Sequence, residues 1–174
     1  MFKKNRAAKF EDTILPHLDA AYNLARWMTG DGTDAEDVVQ EAYLRAFKFF
    51  DGFHGGDSRS WLLKIVRNTC YSWLQKNRRY AAMAEFDEEQ HSEDSRDSEA
   101  ALIGKIDGRV LHGLLAELPI EFREVVIMRE LEGLSYKDIA NVADLPLGTV
   151  MSRLARARER LQTGLAAHLK GGST

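Results

Sequence analysis

Residues 134–161, LSYKDIANVADLPLGTVMSRLARARERL, decide the fold. Ser135 is a good helix N-cap, and Asp138 three residues later gives an aspartate version of the capping box. Ile139, Ala140, Val142 and Ala143 follow as an apolar stripe at helical spacing. Asp144-Leu145-Pro146-Leu147-Gly148 then interrupts the helix, because proline cannot continue it and glycine allows unusual backbone angles. A second helix is expected to start near Thr149. It keeps Val150, Leu154 and Leu161 on one side and carries Arg153, Arg156, Arg158 and Arg160. Two helices around a tight turn, the second polar and basic, form a helix-turn-helix pattern, whose second helix reads bases from its N-terminal half. Thr149, Met151, Ser152 and Arg153 sit at that N-terminal end, with Arg156 about a turn beyond. An arginine-rich helix can also be no more than a solvated face.

The overall charge at first opposes nucleic-acid binding. The 174 residues hold 24 Lys and Arg against 27 Asp and Glu, a formal charge of −3. The charges are segregated, however. From Arg59 to Arg79 there is no acid, whereas residues 85–100, EFDEEQHSEDSRDSEA, hold one cation, Arg96. That acidic segment reads as a solvated linker over residues 83–105, a passive tether or a nucleic-acid mimic lying in a positive groove. It divides the chain into an N-terminal unit, residues 10–82, and a C-terminal unit, residues 106–170. No alternating strand pattern is convincing, so the expected fold is all-α: two small helical domains, the second a helix-turn-helix. The single cysteine, Cys70, excludes an internal disulfide and a cysteine-based zinc cluster, and reads as a buried, inert side chain. No apolar run is long enough to span a membrane, and the basic N-terminus leads into acids rather than a signal-peptide core. A cytoplasmic protein without membrane insertion is expected.

In the N-terminal unit, Ile14, Leu15, Leu18, Tyr22, Ala25 and Met28 predict an amphipathic helix over about residues 10–28, with Pro16 in its first turn or kinking it. Thr33 and Glu36 form a capping box for the next helix, DAEDVVQEAYLRAFKFF (34–50). Val39, Ala42, Tyr43, Ala46 and Phe50 face inward. Asp37, Gln40, Glu41, Leu44, Arg45 and Lys48 face outward, with Glu41 and Arg45 spaced for an i,i+4 pair. Glu36, Asp37 and Glu41 invite a metal reading, but no Glu-x-x-His motif supports it; Leu44 on the charged face suits protein docking instead. The stretch FFDGFHGGDSRS (49–60) reads as a loop, with Asp57 or Ser58 capping the helix after it. In that helix Leu62, Ile65, Val66, Thr69 and Trp73 can face a core. Trp61, Lys64, Arg67, Asn68, Tyr71, Lys76, Arg78 and Arg79 are left for other surfaces. Aromatics among cations suit single-stranded nucleic acid, the rings stacking on bases and the cations following phosphates; Trp61 could equally be a core residue.

Downstream, Val110 to Leu118 predict a short helix ending before Pro119. Phe122, Val125, Val126 and Leu131 predict another closed by Gly133. The tail beyond Leu169 is expected to fray. The five histidines are scattered, no catalytic motif is present, and neither an enzyme nor a bound metal or cofactor is expected.

Three segments together resemble the bacterial RNA polymerase sigma factors of the small, two-domain extracytoplasmic-function (ECF) class. DAEDVVQEAYLRAFKFF is similar to that family's core-polymerase-binding helix, and SWLLKIVRN (60–68) to its promoter-melting and minus-ten helix. LPIEFREVVIMRELEGLSYKDIANVADLPLGTVMSRLARARERL (118–161) is similar to the domain reading the minus-thirty-five element. The resemblance implies that Asp34, Asp37, Gln40, Glu41 and Arg45 face the β′ clamp of core polymerase, the β flap being a further contact. It implies that the loop with Phe53 and His54, together with Ser60, Trp61, Lys64, Arg67 and Asn68, engages the melted non-template strand. Arg78 and Arg79 would meet phosphates. Thr149, Met151, Ser152, Arg153 and Arg156 would read duplex promoter DNA, with Arg158 and Arg160 on phosphates or protein neighbours. An anti-sigma factor is the further partner implied. The family often has Lys or Arg at Met151, Gly at Asp144 and Asp at Ser72. The competing reading is an operator-binding helix-turn-helix regulator acting without polymerase, which would need a dimer interface.

Overall fold

The computed structural model describes residues 2–83 and 108–171, and every regular element among them is helical. The N-terminal unit comprises α1 (Phe2–Ile14), α2 (Leu18–Thr29), α3 (Gly32–Phe49) and α4 (Ser58–Met83). The single helix expected over residues 10–28 is instead α1 and α2, separated by a 3-10 turn at Leu15–His17. Pro16 opens that turn: lacking an N–H and clashing with the preceding turn, it breaks the helix where a kink was one of two expectations. His17 fixes the junction, its Nε2 lying 2.9 Å from Ser58 Oγ at the start of α4.

Helix α1 recruits the basic N-terminus into the fold. Arg6 donates through Nε to Asp51 (2.9 Å) and through Nη2 to the Phe47 carbonyl (2.6 Å). Phe10 is buried, with Tyr43, Phe47 and Phe50 edge-on around it at 5.0, 5.1 and 5.2 Å. Helix α2 ends on Gly30 in the left-handed region, and the Asp31 carboxylate accepts from Thr33 N at 2.7 Å to cap α3. The expected Thr33–Glu36 box is therefore displaced toward the N-terminus, because Asp31 reaches the free N–H groups first. Small residues let α2 and α3 approach closely: Ala21 and Ala25 on one, Ala35, Ala42 and Ala46 on the other, all fully buried. Leu62, Leu63, Val66 and Cys70 of α4 complete this core. Asp57 caps α4, accepting from Ser60 N (3.1 Å) and Ser60 Oγ (2.6 Å).

The C-terminal unit comprises α5 (Gly108–Glu117), α6 (Ile120–Val126), α7 (Tyr136–Ala143) and α8 (Leu147–Gly171). Helix α6 runs into a π-helical segment, Ile127–Leu131, in which Glu132 N donates to Ile127 O five residues back (3.1 Å). The widened turn shifts the register. Leu131, expected inside, is half-exposed, and Leu134 fills the core instead. Ser135 caps α7 by accepting from Asp138 N (3.0 Å), and Asp144 ends it with φ 54°, a left-handed conformation that aspartate tolerates. Pro146 O accepts from both Thr149 N and Val150 N. The second helix of the motif thus begins at Leu147 rather than near Thr149, because proline obstructs the helix before it but not after. Its inward stripe is Val150, Leu154 and Ala157, and it continues through Gly171, so Lys170 and Gly171 are helical where fraying is expected, and the rest of the tail lies outside the described residues. The proposed linker, beyond Met83 at its start, lies outside the described residues.

The two units pack together, α4 against α7 and α2 against α6. Removing Phe10 tests how firmly α1 belongs to the first core. Phe10→Ala should lower unfolding stability by about 3–5 kcal/mol, as for other buried aromatic truncations. A loss under about 1 kcal/mol in chemical denaturation would mean that α1 merely rests on the surface.

Candidate nucleic-acid interface

The outer side of α3 presents Asp37, Gln40 and Leu44 to solvent, and Leu44 is 67% exposed. Glu41 and Arg45 form the expected pair at 2.6 Å, and Arg45 also reaches Thr69 Oγ1 at 3.4 Å. Beside them a shallow apolar groove of ≈ 360 Å³ is lined by Leu18, Val39, Gln40, Tyr43 and Leu44. Asp34 stands at the helix N-terminus. Partial burial, then the nearby Asp31 and Asp37 charges, raise its pKa above the usual carboxylate value. The cluster of like charges is kept at a cost to the fold, as binding surfaces often are.

The loop between α3 and α4 carries an aromatic stack. Phe53 lies 6.1 Å from Phe50 at 22° and 5.1 Å from Trp61. Trp61 is half-buried, so it serves the core and the surface at once. His54 is exposed, next to Gly55 and Gly56, both at φ 93°. The loop forms one wall of an open cleft of ≈ 750 Å³, and Asn5, Arg6, Lys9 and Thr13 of α1 form the other. Those cations were not singled out from the sequence; the signal was their spacing at 6 and 9 on a helix, masked by treating the N-terminus as a leader to the fold. Ser60 is buried, with its hydroxyl committed to Asp57. That hydrogen bond, ahead of a smaller opposing effect of burial, lowers the Asp57 pKa. Lys64 is half-buried, Asn68 and Arg78 are exposed, and the Arg79 side chain lies outside what the structure describes.

Arg67 is not open to solvent. Its guanidinium forks onto Glu124 of α6, Nε to Oε2 at 2.9 Å and Nη2 to Oε1 at 3.2 Å. The Glu124 side chain has 0% exposure and that of Arg67 17%. Burial opposes the Arg67 charge, but the hydrogen bonds and charge of Glu124 outweigh it, and the pKa rises. Arg67 also lies over the Tyr71 ring at 4.2 Å. Burial, followed by the Glu124 charge, pushes up the Tyr71 hydroxyl, and the same causes push the Cys70 thiol to about 12. That keeps the thiol protonated and unreactive. Glu124 was missed in the sequence, although it stands on the inward stripe between Ile120 and Met128 with no cation three or four residues away. Such a carboxylate needs a distant partner.

On α8, Met151, Ser152 and Arg156 are exposed and Thr149 and Arg153 half-buried, all on the first three turns of the helix. Ser152 Oγ donates to Thr149 O at 3.2 Å. Arg158 pairs with Glu130 at 2.7 Å, and Arg160 lies over the Phe122 ring at 4.9 Å. Both therefore meet protein neighbours here. Among the described residues no three His, Cys, Asp or Glu side chains group to hold a metal, and no helix is long and apolar enough to cross a membrane.

Residues 13–80 match the sigma-70 region 2 family model, and residues 108–161 match sigma-70 region 4. The chain is 36% identical to the RNA polymerase sigma-H factor of Pseudomonas aeruginosa over 92% of its own length and 88% of that protein's. It is 35% identical to the ECF sigma-E factor of Haemophilus influenzae, covering 74% of this chain and 73% of that one. The chain belongs to the extracytoplasmic-function sigma factors of RNA polymerase. It spans 62% of another relative, the ECF sigma factor SigE of Mycolicibacterium smegmatis, at 32% identity. Among solved structures, this sigma factor is similar to RpoE of Bartonella quintana, seen in complex with the anti-sigma factor NepR. The TM-score is 0.77 at 30% identity, over 91% of this chain and 97% of the other. CnrH, in complex with the cytosolic domain of CnrY, shares the fold at TM-score 0.63 and 24% identity, over 91% and 88% of the two chains.

The raised pKa of Asp34 fixes the sign of a pH effect. A carboxyl group with a raised folded-state pKa contributes stability below its unfolded pKa and loses it as pH rises through the folded value. Asp34→Asn should therefore melt higher than the wild type at neutral pH, and the difference should vanish in acid. A variant that melts lower at neutral pH would show instead that the charge stabilises α3 through the helix dipole.

Proposed function

We propose that this sigma factor binds core RNA polymerase in the cytoplasm and directs it to the promoters of a stress- or signal-responsive gene set. The observation carrying this reading is a division of surfaces within one chain of the sigma family. An acidic face with an exposed leucine lies on α3, an aromatic and basic region at the α3–α4 junction, and a polar reading end on α8. Asp34, Asp37, Gln40, Glu41 and Arg45 would dock on the β′ clamp, with Leu44 and the apolar groove supplying desolvated contact. Phe53, His54, Trp61, Lys64, Arg67 and Asn68 would hold the melted strand, with Arg78 and Arg79 on its phosphates; Ser60 would act through the Asp57 cap that shapes the loop. Thr149, Met151, Ser152, Arg153 and Arg156 would read the upstream element.

The acidic segment at residues 83–105 would tether the two units. Each alone offers a small interface, and tethering makes the second contact intramolecular once the first has formed. Melting costs the stacking of bases, and rings in the loop would recover part of it. Nucleotide chemistry would be left to the polymerase, so the chain needs no catalytic residue or cofactor of its own. The similar RpoE of Bartonella quintana, solved in complex with the anti-sigma factor NepR, supports a regulator of that kind for this chain as well. The operator-binding alternative is not favoured, since the matched regions belong to a polymerase-associated family.

Mixing the purified chain with core polymerase and promoter-length duplex DNA tests the reading. The chain should co-elute with core on a sizing column and bind duplex weakly without it. Tight duplex binding with no polymerase association would refute the proposal. Glu41→Lys should abolish co-elution without unfolding the chain. Arg153→Ala should keep polymerase binding but lose about 1–3 kcal/mol of discrimination for the upstream element in competition assays.

A further inference from the structure

One wall of the cleft beside the α3–α4 loop is a row of polar side chains on α1. Asn5, Lys9 and Thr13 all line it, each four residues from the next. On a helix that spacing makes a single row about 12 Å long. The Asn5 and Lys9 side chains are exposed, and neither has a hydrogen bond or ion pair among the described residues. Thr13 is half-buried, and its hydroxyl donates to the Lys9 carbonyl at 2.7 Å. With that proton committed, Thr13 Oγ1 offers the cleft an acceptor.

The wall is fixed by its neighbours on α1. Arg6 also lines the cleft, but it is engaged by Asp51 and the Phe47 carbonyl and lies over the Phe47 ring at 4.6 Å. A turn further on, Phe10 is locked among three rings. Arg6 and Asp51 offset each other's charge, which leaves Lys9 as the cation of the cleft without a counter-charge. Across the gap stand Phe53 and the exposed His54, carried by a loop that turns at Gly55 and Gly56. The gap of ≈ 750 Å³ falls among clefts of about 300–1,000 Å³ that hold small organic ligands. One wall offers rings, the other a cation and hydrogen-bonding groups. Single-stranded nucleic acid requires that combination, a π-face for the base and a charge for the phosphate. A merely solvated helix face accounts for an exposed lysine and asparagine. It does not account for three polar side chains in one row facing aromatic side chains across a gap.

Resting on the sigma-factor reading above, we infer that α1 supplies a second nucleotide site on the melted strand, adjoining the contacts made by the loop. A base leaving the stack there would lie across the cleft against Phe53 and His54. Its phosphate would meet Lys9, and its polar edge would meet Asn5 and Thr13. The Asn5 amide presents both a donor and an acceptor, which makes the site sensitive to the identity of the base. Helix α1 is then a reader of the promoter strand as well as a brace for the first core.

The test uses holoenzyme formed from the full chain and core polymerase. The probe is a fluorescein-labelled duplex of the sequence that this holoenzyme selects from a randomised pool. It carries a non-complementary bubble, so the strand is already melted, and affinity is read by anisotropy. A single abasic residue is walked along the non-template strand. At one position, loss of the base should weaken wild-type binding about tenfold, as expected for one stacked base. Asn5→Ala, weaker from the outset, should lose measurably less at that position and as much as wild type elsewhere. Lys9→Gln should lower the slope of log affinity against log salt by about 0.7, one single-strand phosphate contact. Lys4→Gln, exposed on α1 but outside the cleft, should leave the slope unchanged. Co-elution with core and melting temperature should not move in any of the three. Equal losses for Asn5→Ala and wild type at every position would overturn the α1 site. Equal slopes for Lys9→Gln and Lys4→Gln would overturn it too, leaving only a diffuse positive field. Either result, with holoenzyme intact, leaves the sigma reading standing. Failure of the wild type to co-elute with core would overturn that reading and this inference with it.

Discussion

A carboxylate with no exposed surface has to be neutralised, and among the described residues the cation that meets Glu124 is Arg67, on the other unit. Taking both charges out of water is expensive, and their attraction in the interior repays that only with good geometry. The two-point contact at 2.9 and 3.2 Å provides it. The pair consequently does more to specify how α6 sits against α4 than to stabilise the whole. Hydrophobic residues of similar volume would hold the contact at least as firmly, but would not release it into water. Around this pair, Arg59 and Arg123 each satisfy carbonyls left open at the ends of helical segments, so the junction also completes backbone hydrogen bonding in α2, α5 and the π segment.

The existence and type of the elements were legible wherever apolar periodicity was uninterrupted. The helix-turn-helix pair and the Ser135 cap could be read from spacing and side-chain chemistry alone. Boundaries failed where two local signals competed. Asp31 and Thr33 both offer an N-cap, and the residue closer to the Gly30 turn prevails. Pro16 could have kinked one helix or separated two, and the choice depends on whether residues 2–14 have something to pack on. They do, since Phe10 meets three aromatic rings contributed by residues 43–50. Those contacts span more than thirty residues of chain, so no local window holds the information. Leu131 failed for a different reason: one inserted π turn rotates every later residue, and nothing in EFREVVIMREL marks where it falls.

The site was legible as a set of faces and much less as a set of free side chains. Exposure on α3 and at the start of α8 follows directly from helical periodicity. Trp61 was ambiguous between core and surface, and its half-burial beside Phe53 explains why neither reading excluded the other. Arg158 and Arg160 show the limit on α8: the sequence leaves them open between phosphates and protein neighbours, and in the structure Glu130 and the Phe122 ring engage them.

Arg67 marks a deeper limit. Its place among basic and aromatic residues, in a helix without acids, points to nucleic acid, and its structural partner is a buried carboxylate. Both assignments rest on the same chemistry, because a carboxylate and a phosphate present oxygen pairs that a guanidinium fork fits equally. A sequence records which side chain is able to make the contact. In this structure the anion it meets is the Glu124 carboxylate of α6, a partner 57 residues away and beyond any local window of the sequence.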